Sequence, residues 1–174
     1  MVAFNNLGLR YRYAQRYTDA EKAFLTAITL SPSAGGLYYE LGVTHLLNNN
    51  PEAAAVAFGK EPISAFQKIG MAMVRHAEGN EADTNELLQD VIAEFGDQLS
   101  YYIAQVFAIR GNNDYAFEWL EKAILANDGE VTSSPVEPLL SGLHQDERWS
   151  PFLERIGRSP QKLSEVEFVV TLPH

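Results

Sequence analysis

The residues of this sequence that could take part in catalysis are few and scattered. His45, His76, His144 and His174 are its four imidazoles, and a metal site or proton relay needs several such groups converging at matched spacings. His76, His144 and His174 stand apart from any fitting carboxylate. His45 falls on an apolar helical period and reads as a packed, hydrogen-bonded side chain. Cysteine is absent, which rules out a disulfide framework and a thiolate metal site. There is no HExxH pair, no glycine-rich phosphate loop and no serine in a strand-turn-helix elbow. Glu78, Glu81, Asp83 and Glu86 concentrate negative charge, but their spacing suits a solvated helix face. The sequence thus offers no catalytic set, no cofactor site and no metal site. What remains to it is recognition.

Composition narrows what could be recognised. The 174 residues can bury a sizeable core, and a hydrophobic fraction of 46% suits a folded chain. With 13 Lys+Arg against 23 Asp+Glu the formal net charge is −10. No basic cluster exists to meet a phosphate backbone, so nucleic acid is excluded as a direct partner. No apolar run approaches the roughly 20 residues that cross a bilayer, so no membrane is expected. The opening MVAFNNLGLRYRY lacks the basic-then-apolar layout of a signal peptide. A cytoplasmic location is the default expectation.

The elements that would position a recognition surface follow from helical periods. Phe4, Leu7, Gly8 and Tyr11 share a face and predict a helix over 2–14. Thr18 or Asp19 can cap a second helix carrying Ala20, Phe24, Ala27 and Ile28, which Ser31-Pro32 ends. The set recurs at 34 positions, with Tyr38, Leu41, Gly42, His45, Ala54 and Phe58. There Glu61 stands where Ala27 would recur and Pro62 follows, so this second helix should be short. Phe66, Ile69, Gly70, Met73 and Ala82 place a third copy at a shift of 62 from the first. Glu86 and Gln89 then occupy apolar positions, so the register inside its second helix is expected to slip by one. Ile103, Ala104, Phe107, Ala116, Leu120 and Ala123 give a fourth copy at a further 34, with Trp119 packing over the next element.

The pattern Leu7-Gly8…Tyr11…Ala20…Phe24…Ala27…Pro32 resembles the tetratricopeptide repeat, a helix-turn-helix unit of about 34 residues. The resemblance implies an all-α fold: a right-handed α-solenoid of about four repeats, over 1–33, 34–61, 62–96 and 97–126. A loop and capping helix over 127–160 and an extended tail over 161–174 would follow. From Asn127 to Gln145 the periodicity lapses, and Trp149, Phe152, Leu153 and Ile156 then form a short apolar helix face. Residues 136–157 are similar to a tail found with such repeats in multidomain bacterial regulators, and this implies a repeat cap. Val166, Phe168, Val170 and Leu172 alternate like a strand, and such a tail could lie in the chain's own groove.

In this family the first helices of successive repeats line a concave groove that takes peptides or helices. Carried over position by position, the groove comprises Asn5, Leu9, Arg12 and Tyr13, then Tyr39, Val43, Leu46 and Leu47. The third repeat adds Gln67, Met71, Val74 and Arg75, and the fourth Tyr101, Gln105, Ala108 and Ile109. This lining is mainly apolar and aromatic, and suits a protein or peptide segment with apolar anchors. It lacks the lysine of the carboxylate clamp that grips chaperone tails. The resemblance therefore implies a non-enzymatic interaction scaffold. Two other readings stand beside it. The first repeat begins at Met1 with no helix before it, so its face would be covered by a preceding domain of a longer protein or by a second copy in a homodimer. Tyr13, Tyr39, Arg12 and Arg75 also fit a small-ligand sensor in a larger signalling or transcription protein.

Overall fold

The computed structural model describes residues 1–165. Its framework is four helix pairs: α1 (Val2–Tyr13) with α2 (Tyr17–Leu30), α3 (Leu37–Leu47) with α4 (Pro51–Phe58), α5 (Ser64–Ala77) with α6 (Glu81–Phe95), and α7 (Ser100–Ile109) with α8 (Asn113–Leu125). Within each pair the helices pack on one another, and α3, α5 and α7 also contact in succession. The described residues form an all-α solenoid.

A common device joins each pair. One residue in the left-handed region follows the first helix: Gln15, Asn49, Gly79 and Gly111, with φ of 57°, 57°, 77° and 72°. That conformation costs little for glycine and asparagine. The second helix begins two residues later, after Arg16, Asn50, Asn80 or Asn112. The Asn50 side chain accepts from the Ala53 N–H at 3.1 Å and that of Asn80 from the Asp83 N–H at 3.2 Å. In the first pair no side chain caps α2. Asp19, expected to cap it, pairs instead with Arg16 at 2.6 Å.

These turns fix the true register. From Gln15 to Asn49 is 34 residues, from Asn49 to Gly79 is 30, and from Gly79 to Gly111 is 32. The third pair thus lies 64 residues after the first, not 62. Its small-residue positions are Ala72 and Thr84, both fully buried, whereas Ala82 is exposed. The Thr84 hydroxyl donates to the Asn80 carbonyl at 2.8 Å and sits 3.5 Å from the Ala72 carbonyl. Leu88 and Val91 take the core positions that follow. The expected slip of one residue is two, and it begins in the first helix of the pair.

Gly8 and Gly42 let paired helices touch. A Cβ on Gly8 would lie 2.6 Å from the Phe24 ring, and one on Gly42 would lie 2.5 Å from Phe58. Gly70 makes room across pairs rather than within one. Its Cβ would meet Phe58 at 2.1 Å, so this ring is seated between α3 and α5.

Glu61 explains why α4 stops at eight residues. Its carboxylate is 4% exposed and accepts from the backbone N–H groups of Gly36, Tyr39 and Ile63 at 2.9, 3.1 and 3.1 Å. Two of these belong to the start of α3, where N–H groups lack helical partners and a negative charge is favoured. The residue that breaks the repeat therefore positions α3.

After α8 the chain forms two 3-10 helices, Gly129–Val136 and Pro138–Leu143, then α9 (Trp149–Arg155) and α10 (Pro160–Ser164). The irregular loop expected over 127–145 is thus an ordered return segment that packs on α7 and α8. Leu139, Leu140 and Leu143 bury fully beneath it, since proline and the lost periodicity forbid an α-helix but not the tighter turn. Trp149 and Phe152 of α9 close the end of the core, as a solenoid cap must. Pro160–Ser164 is helical where an extended chain was expected, because Ser159 caps it through the Lys162 N–H. The strand-like stretch at 166–172 lies outside the described residues.

Candidate functional site

The site begins with Arg12, whose neighbours on α1 are mostly exposed while its own side chain is 4% exposed. Its Nη1 donates to Glu40 Oε2 at 2.5 Å, and its Nη2 donates to Glu137 Oε2 at 3.2 Å. Glu40 comes from α3 and Glu137 from the junction of the two 3-10 helices. Glu137 Oε1 accepts from the Leu139 N–H at 3.2 Å, so the same carboxylate starts the second 3-10 helix and receives the arginine. One guanidinium ties together three parts of the chain, over 125 residues of sequence.

The charges respond to burial. Burial alone would lower the affinity of the Arg12 guanidinium for its proton, but Glu40 and Glu137 more than reverse this and the net shift is upward. Burial raises the Glu40 carboxyl above its ordinary value; Arg12 opposes the shift and Glu137 adds to it. Glu130, nearer the surface, is also raised, by burial and then by Asp128. Burial lifts the hydroxyls of Tyr13, Tyr39, Tyr101 and Tyr102 as well, so all four stay neutral at physiological pH.

These groups surround a concave cavity of about 310 Å³ on the inner side of α1, α3 and α7. Its walls are aromatic. Tyr39 stacks on Phe66 with ring centroids 5.1 Å apart and meets Tyr102 edge-on at 5.6 Å. Tyr101 and Tyr102 lie 6.0 Å apart. The Tyr39 hydroxyl approaches Gln105 Oε1 at 3.4 Å, reaching from α3 to α7 past α5. Several polar atoms here are buried without a protein partner: Asn5 Oδ1, Arg12 Nε and the Tyr101 hydroxyl. Ser134 and Gln105 approach the Tyr101 hydroxyl without reaching hydrogen-bond geometry. Orphaned buried polar atoms are uncommon, and their gathering at one cavity marks it.

The expected groove residues divide sharply in space. Asn5, Leu9, Arg12, Tyr13, Tyr39, Val43, Tyr101 and Gln105 all line this cavity. Leu46, Leu47 and Ile109 pack against the large core, and Ala108 is buried in it. The third-repeat positions do not join them. Gln67 donates to the Gly59 carbonyl at 3.2 Å, Val74 is fully buried, and Met71 and Arg75 line a separate depression with Asp83 and Asp90. The two-residue register error accounts for this. At the true shift Ile69 and Met73 stand in those places, and both are buried.

The groove was also expected to be mainly apolar, and its centre is charged. Glu40, Glu137, Glu130 and Tyr102 were missed by reading the repeat alone. Glu40 sits one residue beyond Tyr39, off the positions usually assigned to the groove. Glu137 lies in aperiodic sequence, where its one local signal is an acid placed before Pro138, able to cap the turn that follows. Among the described residues no group of three or more His, Asp or Glu could hold a metal ion, and no helix is long and apolar enough to cross a membrane.

Residues 5–67 match the family model of the tetratricopeptide repeat. No curated protein matches the chain. Among solved structures, the crystal structure of MamA protein is similar at 17% identity and a TM-score of 0.47, covering 98% of this chain and 97% of that one. The repeat match spans α1 to the start of α5 and so includes the helices that supply Arg12, Tyr39 and Glu40.

Proposed function

We propose that this chain is a non-enzymatic protein-interaction scaffold that receives a partner segment along the concave face of α1 and α3. The observation that carries this reading is the convergence of Asn5, Leu9, Arg12, Tyr13, Tyr39 and Val43 on one concave surface. The repeat-family match over the same helices supports it, since such repeats serve mainly as binding surfaces. Leu9 and Tyr13 are partly exposed and give a segment apolar and aromatic contact, while the buried charges beneath fix the shape of the face. The acidic chain favours a partner that is not itself strongly acidic.

The test is recovery of partners by immobilised protein, comparing the native chain with a Leu9→Glu, Tyr13→Glu variant. Both residues are partly exposed, and circular dichroism checks that the variant keeps its helical fold. Partner recovery should fall by roughly tenfold or more on losing two apolar contacts. Equal recovery removes the concave face from the proposal.

A second reading has its own observation. Phe4 and Leu7 are 39% and 40% exposed on α1, beside exposed Met1 and Val2. This apolar strip is proposed as a self-association surface, and light scattering over a concentration series decides it: a constant monomer mass rejects it. Membership in a larger regulatory protein within the cytoplasm is part of the same proposal.

A further inference from the structure

The two halves of the return segment are held differently. The second 3-10 helix, Pro138–Leu143, buries Leu139, Leu140 and Leu143. The first, Gly129–Val136, buries one large apolar side chain, Val131, while Glu130, Thr132 and Val136 are exposed. Among the described residues, its hydrogen bonds run only within itself and to the flanking Asp128 and Glu137. Both flanks are fixed. The Asp128 N–H donates to the Ala123 carbonyl of α8 at 3.0 Å, while Glu137 holds Arg12 of α1 and accepts from the Leu139 N–H. The stretch between them is a span tied at its ends and seated by a single valine.

That span sits against the concave face. Glu130 and Ser133 border a depression together with Leu9 and Tyr13. Ser133 and Ser134 approach the Tyr13 and Tyr101 hydroxyls without reaching hydrogen-bond geometry. The seam is poorly satisfied. Among the described residues, the buried side-chain polar atoms without a partner are Asn5 Oδ1, Arg12 Nε, the Tyr101 hydroxyl and Ser134 Oγ. All four lie on this helix or line the cavity beside it. Each is costly while shut away from water and gains a partner when water enters. Opening here gives up one apolar contact and relieves unpaired polar groups, which favours local opening over global unfolding.

We propose that Gly129–Val136 is a strap over the concave face, which lifts as one unit between Asp128 and Glu137 and uncovers the Tyr13 and Tyr101 hydroxyls to a partner segment. Such a gate presupposes that partners dock on the concave face, as proposed above. The closed form withholds the α7 side of that face, and the open form joins it to the α1 side.

Native-state hydrogen exchange on the full chain tests the motion. Amides at 131–136 should open together, on the order of 100-fold more often than those of α7 and α8, with little dependence on low denaturant. Val131→Ala removes both γ-methyl groups of the seat and should raise this opening about tenfold in the strap alone. Exchange of the strap only together with α7 and α8, or unrelated rates among its own amides, overturns the proposal. Val131→Asp should hold the strap open, with circular dichroism checking the helices. The Tyr101 ring should then become several-fold more accessible to a soluble paramagnetic agent, while the Tyr39 ring, packed on Phe58 and Phe66, should not. An unchanged Tyr101 ring also overturns it. The gate itself is read from partner recovery, which Val131→Asp should raise several-fold over native protein; equal recovery refutes the gate. Native protein and Val131→Asp that both recover no partner while the strap opens refute the docking reading instead, so the two failures are distinct.

Discussion

The first and last helix pairs are fastened to the molecule by different physics. The last pair, α7 and α8, lies inside one continuous apolar cluster running from Tyr39 to Phe152. Ala104, Ala116, Leu120 and Ala123 are fully buried there, and the return segment and α9 cover what remains. The first pair has a smaller, separate cluster, in which Ala20, Phe24, Ala27 and Ile28 meet Leu37, Leu41 and Ala57. On α1 only Gly8 and Arg12 are buried. Beside the partly buried Leu9 and Tyr11, which pack on that cluster, it is attached by the ion cluster through Glu40 and Glu137. One end is held by apolar area, on which pH acts little. The other is held partly by charge, which pH can reach.

The largest effect should come from the ring that seats α3 against α5. Phe58→Ala empties the space between Gly42 and Gly70 and should cost about 3–5 kcal/mol. Chemical denaturation measures it, and a loss below about 1 kcal/mol would mean that the gap closes by collapse.

Arg12→Ala should cost about 3 kcal/mol, because it strands the buried Glu137 carboxylate and the half-buried Glu40. The loss should be local. Hydrogen exchange is expected to quicken in α1 and in the return segment around Glu137, and to change little in α7 and α8. Uniform acceleration along the chain would erase the distinction between the two ends.

Glu61→Ala should be milder, about 1–3 kcal/mol, from three backbone N–H groups losing their acceptor. Its mark is fraying at the start of α3, read from amide protection at Gly36 and Tyr39.

Acidity should separate the ends without mutation. Burial raises Glu40 above its ordinary 4.5, so the folded state holds that proton more firmly than the unfolded chain does. Its contribution is therefore greatest at low pH and is lost as pH rises through the folded value. At the other end Asp146 receives hydrogen bonds from the Arg148 side chain and backbone, which hold it well below its ordinary 3.8. Its contribution is present above 3.8 and is lost as pH falls through the folded value. Carbon-detected titration of the two carboxyls should give midpoints on opposite sides of their ordinary values; a Glu40 midpoint below 4.5 would mean that its pairing with Arg12 outweighs burial.

The smallest effect is expected at the surface. Arg155 pairs with Glu121 between α9 and α8, with its side chain 49% exposed. Arg155→Ala should change stability by less than about 1 kcal/mol, which thermal unfolding can verify.

Much of the fold was legible because its signals are local. Gly8 with Phe24 and Gly42 with Phe58 sit at the spacing of paired helices, and Asn50, Asn80 and Asn112 mark where three of the four second helices begin. Reading failed where one contact had two sequence solutions. Gly70 imitates the small position of the repeat, two residues before Ala72, yet it serves Phe58 of the preceding pair. Composition around Gly70 could not reveal which helix would press on it.

The candidate site was legible by half. Arg12, Tyr13, Tyr39 and Tyr101 follow from the repeat, since a helix face repeats with the helix. Glu137 does not. Its partner stands 125 residues away, and its own neighbourhood has no period to read. Sequence determined that this chain would be an acidic stack of helix pairs, because helix periodicity and turn chemistry act over a few residues. Tertiary structure decided that the return segment would fold back and deliver a carboxylate to Arg12. That pairing depends on the summed register of every repeat between them, and no local pattern carries such a sum.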